Sequence, residues 1–380
     1  MSPSPYRTFA DRHLDEVLAD LKAFVEVESP TTVKTAVDGA ARHLATRFAD
    51  AAGAEIVWHP QQQWGDHFEA RIGRGSRRIL LLGHVDTVWP IGTIERLPCR
   101  IDGDRITGPG SFDMKSGDIQ ALWALRAVRA QRAAQDKTFV FFANTEEEAG
   151  SPTSRPIIEQ LARESECVLV LEPSVGVEGA VKLWRKGVGM FRLEVSGQAS
   201  HAGADPEKGR SAVLELARQI VDLYAAVPLS STGTTMNVGV VRGGTRSNVV
   251  AASAEAQIDL RVRTAAEAQR AEAAILTRPT FVPGTTVRVT GGLNRPPMEE
   301  TAASRRLYEQ ARAIAADEGF ELPAGGTGGG SDGNFTAALG VPTLDGLGSV
   351  GGGGHADGEH VRRQAVAPRI AWFARLLAEL

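Results

Sequence analysis

The chain has few of the residues that mark specialised protein classes. Among 380 residues it has two cysteines, Cys99 and Cys167, too few and too isolated for a disulfide framework or a thiolate zinc site. Both read as buried, unreactive thiols. No stretch approaches the roughly 18 apolar residues of a membrane span, and residues 1–32 lack the apolar centre of a secretory signal. A cytoplasmic location and no membrane partner are therefore expected. An excess of one charge is also missing: 42 Lys plus Arg stand against 46 Asp plus Glu, a formal net charge of -4, and no basic block occurs. A nucleic-acid partner is not expected. There is no internal repeat. What the chain does have is 42% hydrophobic content, over a length that suits two domains and a large core.

Against that background five short segments stand out, four of them following apolar runs in the first half and one in a late glycine-rich stretch. They are Gly83-His84-Val85-Asp86, Ser111-Phe112-Asp113-Met114-Lys115, Asn144-Thr145-Glu146-Glu147-Glu148, Leu171-Glu172-Pro173 and Gly353-Gly354-His355. Two imidazoles with at least three carboxylates form a donor set for a pair of divalent metals, of which zinc is the commonest occupant. Hydrolysis is the chemistry this suggests. Taken singly, an acidic residue after a strand is more often a solvated turn residue; the joint occurrence carries the inference.

The organisation agrees. Leu14, Val17, Leu18, Leu21, Phe24 and Val25 repeat at helical spacing, as do Val37, Leu44 and Phe48, with Gly53 as the stop. The runs Ile79–Leu82, Phe139–Phe142 and Val168–Leu171 are nearly all apolar, as in central strands covered on both faces. With a helix around residues 119–128 they predict an α/β sheet, whose ligands gather at the carboxyl ends of strands. From about Lys186 the pattern changes to strands at Met190–Val195, Met236–Val241 and Ala254–Arg263, with helices at Ser211–Ala226 and Ala265–Leu276. This reads as a small inserted sheet with helices on one face. Long helices resume after Pro296, with one strand near Val341–Leu344. The expected domains are 1–183, the insertion 184–294, and 295–380, which returns to the first. The glycine-rich segments Gly325–Gly333 and Gly348–Gly358 read as site loops. His13 and His43 on helices, and His59 and His67 near a hairpin, are expected at the surface.

Together, Gly-His-Val-Asp-Thr-Val, Asp-Met-Lys-Ser-Gly, Asn-Thr-Glu-Glu-Glu-Ala-Gly-Ser, Leu-Glu-Pro, Ala-Ser-His-Ala-Gly, Thr-Gly-Gly-Gly-Ser-Asp-Gly and Gly-Gly-His-Ala resemble the M20 metallopeptidases, most nearly the glutamate carboxypeptidase branch acting on folate-type substrates. The resemblance runs in family order from the His84 strand to the His355 loop. It implies a zinc-peptidase-like α/β catalytic domain with a mixed central sheet flanked by helices, and an inserted α+β, ferredoxin-like lid or dimerisation domain. It also implies two Zn²⁺ per chain, with Co²⁺ or Mn²⁺ as substitutes. His84, Asp113 and Glu172 would bind one metal, and Asp113, Glu148 and His355 the other. Asp113 would bridge.

Further roles follow from the same resemblance. Asp86 would accept the second ring N–H of His84 and fix its tautomer. Glu147 would be the general base; residue type cannot separate Glu146, Glu147 and Glu148, but the Gly150-Ser151 that follows anchors the family register. The Asp113–Met114 peptide is expected to be cis. His360 rivals His355, which is preferred because it follows the glycine loop. His201 would donate to the oxygen of the tetrahedral intermediate, across a homodimer in dimeric relatives. Asn248, Arg261 and Arg295 would hold the free carboxylate of a small-molecule substrate, an N-acyl amino acid or short peptide, a task suited to the two-pronged guanidinium. The plainer reading of Arg261 is a structural ion pair within an alternating strand. The expected activity is release of a C-terminal, glutamate-like residue. Deacylation of acetylornithine or of succinyl-diaminopimelate is the alternative, and a metal-free binding protein on the same fold the alternative of another class.

Overall fold

Apolar runs bounded by glycine, proline and polar turns organise the first part of the chain around a six-stranded sheet. The computed structural model describes residues 3–229 and 233–380. In spatial order the strands are Glu55–His59, His67–Gly73, Lys137–Asn144, Arg77–His84, Cys167–Val170 and Thr343–Leu344. The last four are mutually parallel, and the first two form an antiparallel hairpin at one edge, so the sheet is mixed. Successive side chains of the parallel strands alternate between two covered faces. Ile79, Leu81, Phe139 and Phe141 pack with the helices Lys34–Ala52, Ser116–Ala130 and Arg363–Glu379. Leu80, Leu82, Val140 and Phe142 pack with the helix Arg155–Arg163. The helix Lys34–Ala52 ends at Gly53, whose φ of 65° is the left-handed conformation that favours glycine.

Two compact units divide the chain. The first contains residues 1–184, 300–327 and 331–380, and the second contains 185–299 with 328–330. The sequence reading ended the insertion at 294. Residues 295–299 group with the second unit because Arg295 completes the strand Thr286–Arg295 and Met298 pairs with Arg185 through backbone hydrogen bonds in both directions.

The second unit is an antiparallel sheet of order Thr235–Gly243, Ser253–Val262, Gly187–Ser196, Thr286–Arg295. With the helices Ala212–Ala226 and Ala265–Leu276 it follows the β-α-β-β-α-β order of ferredoxin-like folds. Its core is formed by Phe191, Leu193, Val195, Ala256, Ile258 and Leu260 against Leu216, Leu223, Ala271 and Ile275. The alternation from Ala254 onwards therefore marks one face buried under helices and one left open. The strand Thr286–Arg295 was not read from the sequence, since Gly291-Gly292 interrupts its pattern. Among the described residues, no helix is long and apolar enough to cross a membrane. Cys99 and Cys167 are free and buried.

Candidate metal centre and active site

Parallel pairing aligns the ends of the central strands, with His84 opposite Asn144 and Leu82 opposite Val170. The segments that follow carry Glu146–Glu148 and Glu172, while Asp113 precedes the helix Ser116–Ala130. Two donor clusters result, His84 with Asp113 and Glu172, and Asp113 with Glu148 and His355; within each, all ligand atoms lie within 4.8 Å of one another. Asp113 divides its carboxylate between them. Its Oδ1 lies 3.2 Å from His84 Nε2 and its Oδ2 lies 3.3 Å from His355 Nε2. Glu172 Oε1 is 3.6 Å from His84 Nε2, and Glu148 Oε1 is 3.1 Å from His355 Nε2. In the first cluster His84 and Glu172 are buried and Asp113 is partly buried, whereas the His355 side chain is half exposed.

The donor chemistry fits two divalent cations. His84 Nδ1 donates to the Asp86 carbonyl oxygen at 3.0 Å, which leaves Nε2 as the lone-pair atom facing Asp113 and Glu172. Burial opposes protonation of His84, yet the Asp113 and Asp86 carboxylates beside it hold its pKa well above the ordinary imidazole value. Asp113 and Glu148 together raise His355 to about 10. Burial acts to raise the pKa of Asp113 as well, but the two imidazoles hold it well below the usual carboxylate range. A cluster that draws protons this strongly onto two imidazoles is one where dications, which compete with protons for the same lone pairs, are stabilised.

Asp86 lies beside His84 and makes further supporting contacts. Its Oδ1 is 3.5 Å from His84 Nδ1, farther than its own backbone carbonyl. Its carboxylate mainly holds the glutamate turn, accepting the N–H of Glu147 at Oδ1 and the N–H of Glu148 at Oδ2, both at 3.1 Å, and the Thr31 hydroxyl at 2.7 Å. The two converging amides make charge-assisted hydrogen bonds to this carboxylate.

The three glutamates separate by environment. Glu146 is buried and turned away, its Oε1 accepting from the N–H groups of Thr153 and Ser154 just ahead of the helix Arg155–Arg163. Glu148 joins His355, and Glu147 lies between them, partly buried. The turn is braced by Asn144, whose Nδ2 donates to Ser151 Oγ at 2.9 Å and to Asp332 Oδ2 at 2.6 Å. Asp332 belongs to the glycine-rich segment read as a site loop, and at Ser331–Gly333 that segment serves the site through these contacts. Lys182 Nζ lies 3.7 Å from both Glu172 Oε2 and Asp345 Oδ1. No local pattern marks Thr31 or Lys182, whose partners are brought to them by the fold; Asp332 stands in the Thr-Gly-Gly-Gly-Ser-Asp-Gly motif, which does not show that it pairs with Asn144.

Other histidines stay outside the clusters. His360 Nδ1 donates to the Gly358 carbonyl. His67, expected at the surface, is fully buried, since its strand lies inside the sheet; burial lowers its pKa to about 4. The Asp113–Met114 peptide is cis.

The remaining site residues lie in the second unit. His201 is exposed, and its Nδ1 accepts the N–H groups of Gly203 (3.1 Å) and Ala204 (3.0 Å), so Nε2 carries the proton and is the donor. The Asn248 carbonyl accepts the Ala202 N–H at 3.0 Å, which sets Asn248 beside the His201 turn. Arg261 pairs with Asp259, with Nη2 to Oδ2 at 2.8 Å and Nε to Oδ1 at 2.9 Å, the ion pair that its alternating strand made the plainer reading. Arg295 is buried at the end of its strand, and a Cβ on Gly330 would lie 2.7 Å from its Cδ.

Similarity to known proteins agrees with this geometry. The sequence model of the family described as "Peptidase family M20/M25/M40" matches residues 80–379. Carboxypeptidase G2 from Pseudomonas sp. (strain RS-16) is 31% identical over 324 residues, 83% of this chain and 77% of the relative. Aminopeptidase PepT from Bacillus cereus superposes with a TM-score of 0.78 at 22% identity, over 96% of this chain and 98% of that one. The M20 family metallo-carboxypeptidase Sso-CP2 from Sulfolobus solfataricus gives a TM-score of 0.72 at 17% identity, over 96% and 98%.

Proposed function

The chain belongs to the M20/M25/M40 peptidase family, and we propose that within it this metallopeptidase is a dinuclear zinc amide hydrolase releasing a C-terminal, glutamate-like residue from a peptide or N-acyl amino acid. One observation carries the proposal: the two carboxylate oxygens of Asp113 face two separate His and Glu sets. His84, Asp113 and Glu172 would hold one zinc and Asp113, Glu148 and His355 the other, with cobalt or manganese as substitutes. Bound there, two dications supply a water acidified towards neutral pH and a polarised scissile carbonyl. Glu147 takes a proton from the attacking water at its carboxylate and passes it to the leaving amine nitrogen. His201 donates from Nε2 to the developing oxyanion. Asn248, Arg261 and Arg295 hold the free carboxylate of the substrate, with Asp259 as the partner Arg261 must share. The glutamate preference rests on the kinship with carboxypeptidase G2.

We include in the proposal a homodimer formed through the second unit. The strand Thr235–Gly243 lies at the edge of its sheet. The helix beside it leaves Val213 and Val221 exposed, Val221 by 73%, and Tyr224 Oη accepts the Val238 N–H of that strand at 3.1 Å. An edge strand and an apolar helix stripe are what a twofold contact uses. The location we propose is the cytoplasm, which two unpaired thiols suit. A hydrolysis screen over N-acyl amino acids and dipeptides with zinc, cobalt and manganese, paired with metal analysis, tests the function. Turnover of C-terminal glutamate substrates with close to two metals per chain is expected; less than one metal per chain, with no hydrolysis, would remove the proposal.

A further inference from the structure

Glu359 lies four residues after His355 and is 3% exposed. Its carboxylate receives four N–H donors. Oε1 accepts from Phe112 N at 2.9 Å and Asp113 N at 3.0 Å, and Oε2 accepts from Gly110 N at 3.0 Å and Trp89 Nε1 at 2.7 Å. Three backbone amides converging on one anion form the concave nest that turns use to hold anions. Gly110 has a φ of 70°, and a Cβ there would lie 2.5 Å from Thr87 Cγ2, so the turn depends on glycine at that position. Just beyond Asp113, Lys115 Nζ donates to the carbonyls of Phe24 at 3.2 Å and Val27 at 2.5 Å. The backbone of Asp113 is thus held on both sides, by an anion before it and a cation after it.

A carboxylate with two N–H groups on each oxygen has little capacity left to ligate a metal. Glu359 is close to the centre without belonging to either donor cluster. What it does is tie the segment bearing His355 to the segment bearing Asp113, across 246 to 249 positions of the sequence. We propose that Glu359 is a positioning residue of the dinuclear centre: its clamp on the amides of residues 110–113 sets Asp113 and His355 at their mutual spacing before any metal arrives. This rests on the reading above that Asp113 and His355 hold metal.

The effect separates from general stability because the second unit contains a similar clamp whose residues belong to neither donor cluster. Glu215 is fully buried and accepts the N–H groups of Phe281 at 2.9 Å and Val282 at 2.5 Å. Zinc affinity is measured by chelator competition, and zinc per chain by elemental analysis, on the full-length wild type and on E359Q, E215Q and D113A. Glu359→Gln presents an NH₂ group to two N–H donors, and zinc affinity is expected to fall about 10- to 100-fold, as for other residues that orient ligands. Glu215→Gln should lower the melting temperature and leave zinc affinity within about twofold of wild type. Wild-type affinity in E359Q, or an equal loss in E215Q, overturns the proposal. Full zinc retention in D113A overturns the metal reading beneath it, a separate failure.

A second measurement covers the case in which E359Q does not fold. In metal-free wild-type protein the amides of Gly110, Phe112 and Asp113 should resist hydrogen exchange, since Glu359 holds them without metal. Exchange as fast as in an open loop would overturn the proposal.

Discussion

The metal corner of the first unit and the His201 turn of the second obtain their geometry in opposite ways. Beside the donor clusters, several supporting residues are steadied from far along the chain. Thr31 bonds Asp86 across 55 positions, Asp332 bonds Asn144 across 188, and Glu359 bonds Gly110 across 249. His201 is oriented by Gly203 and Ala204, two and three residues away. The donor corner is therefore a product of the assembled fold. The His201 donor is set by its own turn and keeps its tautomer wherever that turn is carried. Substitutions of the donor residues in the first region should change metal binding, and those in the second should change turnover with metal retained.

The largest expected effect is at the one residue common to both clusters. Asp113→Ala should remove both metals and bring activity to background, because each cluster keeps only one His and one Glu. Elemental analysis decides it: two metals per chain in D113A would end the bridging assignment and the comparison with it.

Within the glutamate turn the same division should appear one residue apart. Glu147→Gln keeps the ligands and loses the proton carrier, so turnover should fall by roughly 10² to 10⁴ with metal content unchanged. Glu148→Gln should weaken the metal shared with His355. If metal loss follows residue 147 instead, the register is off by one.

How much of this was legible follows from the same contrast. His84, Glu148 and Glu172 announce themselves because apolar runs end beside them, and parallel strands bring such ends together. His355 is marked by its glycine-rich loop, and Asp113 by the Asp-Met-Lys-Ser-Gly motif. Thr31 and Glu359 are invisible because they acquire their meaning only from partners on other elements, and the motif that contains Asp332 does not show its bond to Asn144. The surface position expected of His67 fails for a related reason: its hairpin is antiparallel, yet the strand His67–Gly73 is interior, lying between Glu55–His59 and Lys137–Asn144. Both its faces are covered, so no polar alternation protects a histidine there from burial. In the second unit the alternating strand Ser253–Val262 was plain, whereas Thr286–Arg295, broken by two glycines, was not.

A smaller effect should separate the second unit. His201→Ala should cost about 10² to 10³ in turnover, the usual loss of one oxyanion donor, with both metals in place. Mixing H201A with E147Q chains adds the geometric question. If donation crosses the dimer, hybrids recover one intact site and measurable activity; silence, with subunit exchange confirmed, would assign His201 to its own chain. Metal loss in H201A would contradict the division between the regions.

The smallest effect concerns stability and returns to the long-range side of the comparison. His67 packs 5.8 Å from the Phe142 ring, its Nδ1 accepts the Thr145 N–H at 3.3 Å, and its Nε2 lies 3.0 Å from Thr153 Oγ1. Burial holds it neutral in the fold, with its pKa near 4 against an ordinary 6.5. Between those values the unfolded chain binds the extra proton, so stability falls as pH drops from 6.5 towards 4 and changes no further below the folded pKa. Each pH unit is worth at most about 1.4 kcal/mol, which gives roughly 2 kcal/mol between pH 6.5 and 5. Urea unfolding of metal-free wild type and His67→Gln at these two pH values measures it. The ligand histidines, raised by their carboxylates, contribute with the opposite sign, but equally in both proteins, so they cancel in the difference. Wild type should lose about 1–2 kcal/mol more than H67Q on acidification. A difference that does not vary with pH would mean that His67 is not held neutral, and that the brace beneath the glutamate turn is looser than its burial indicates.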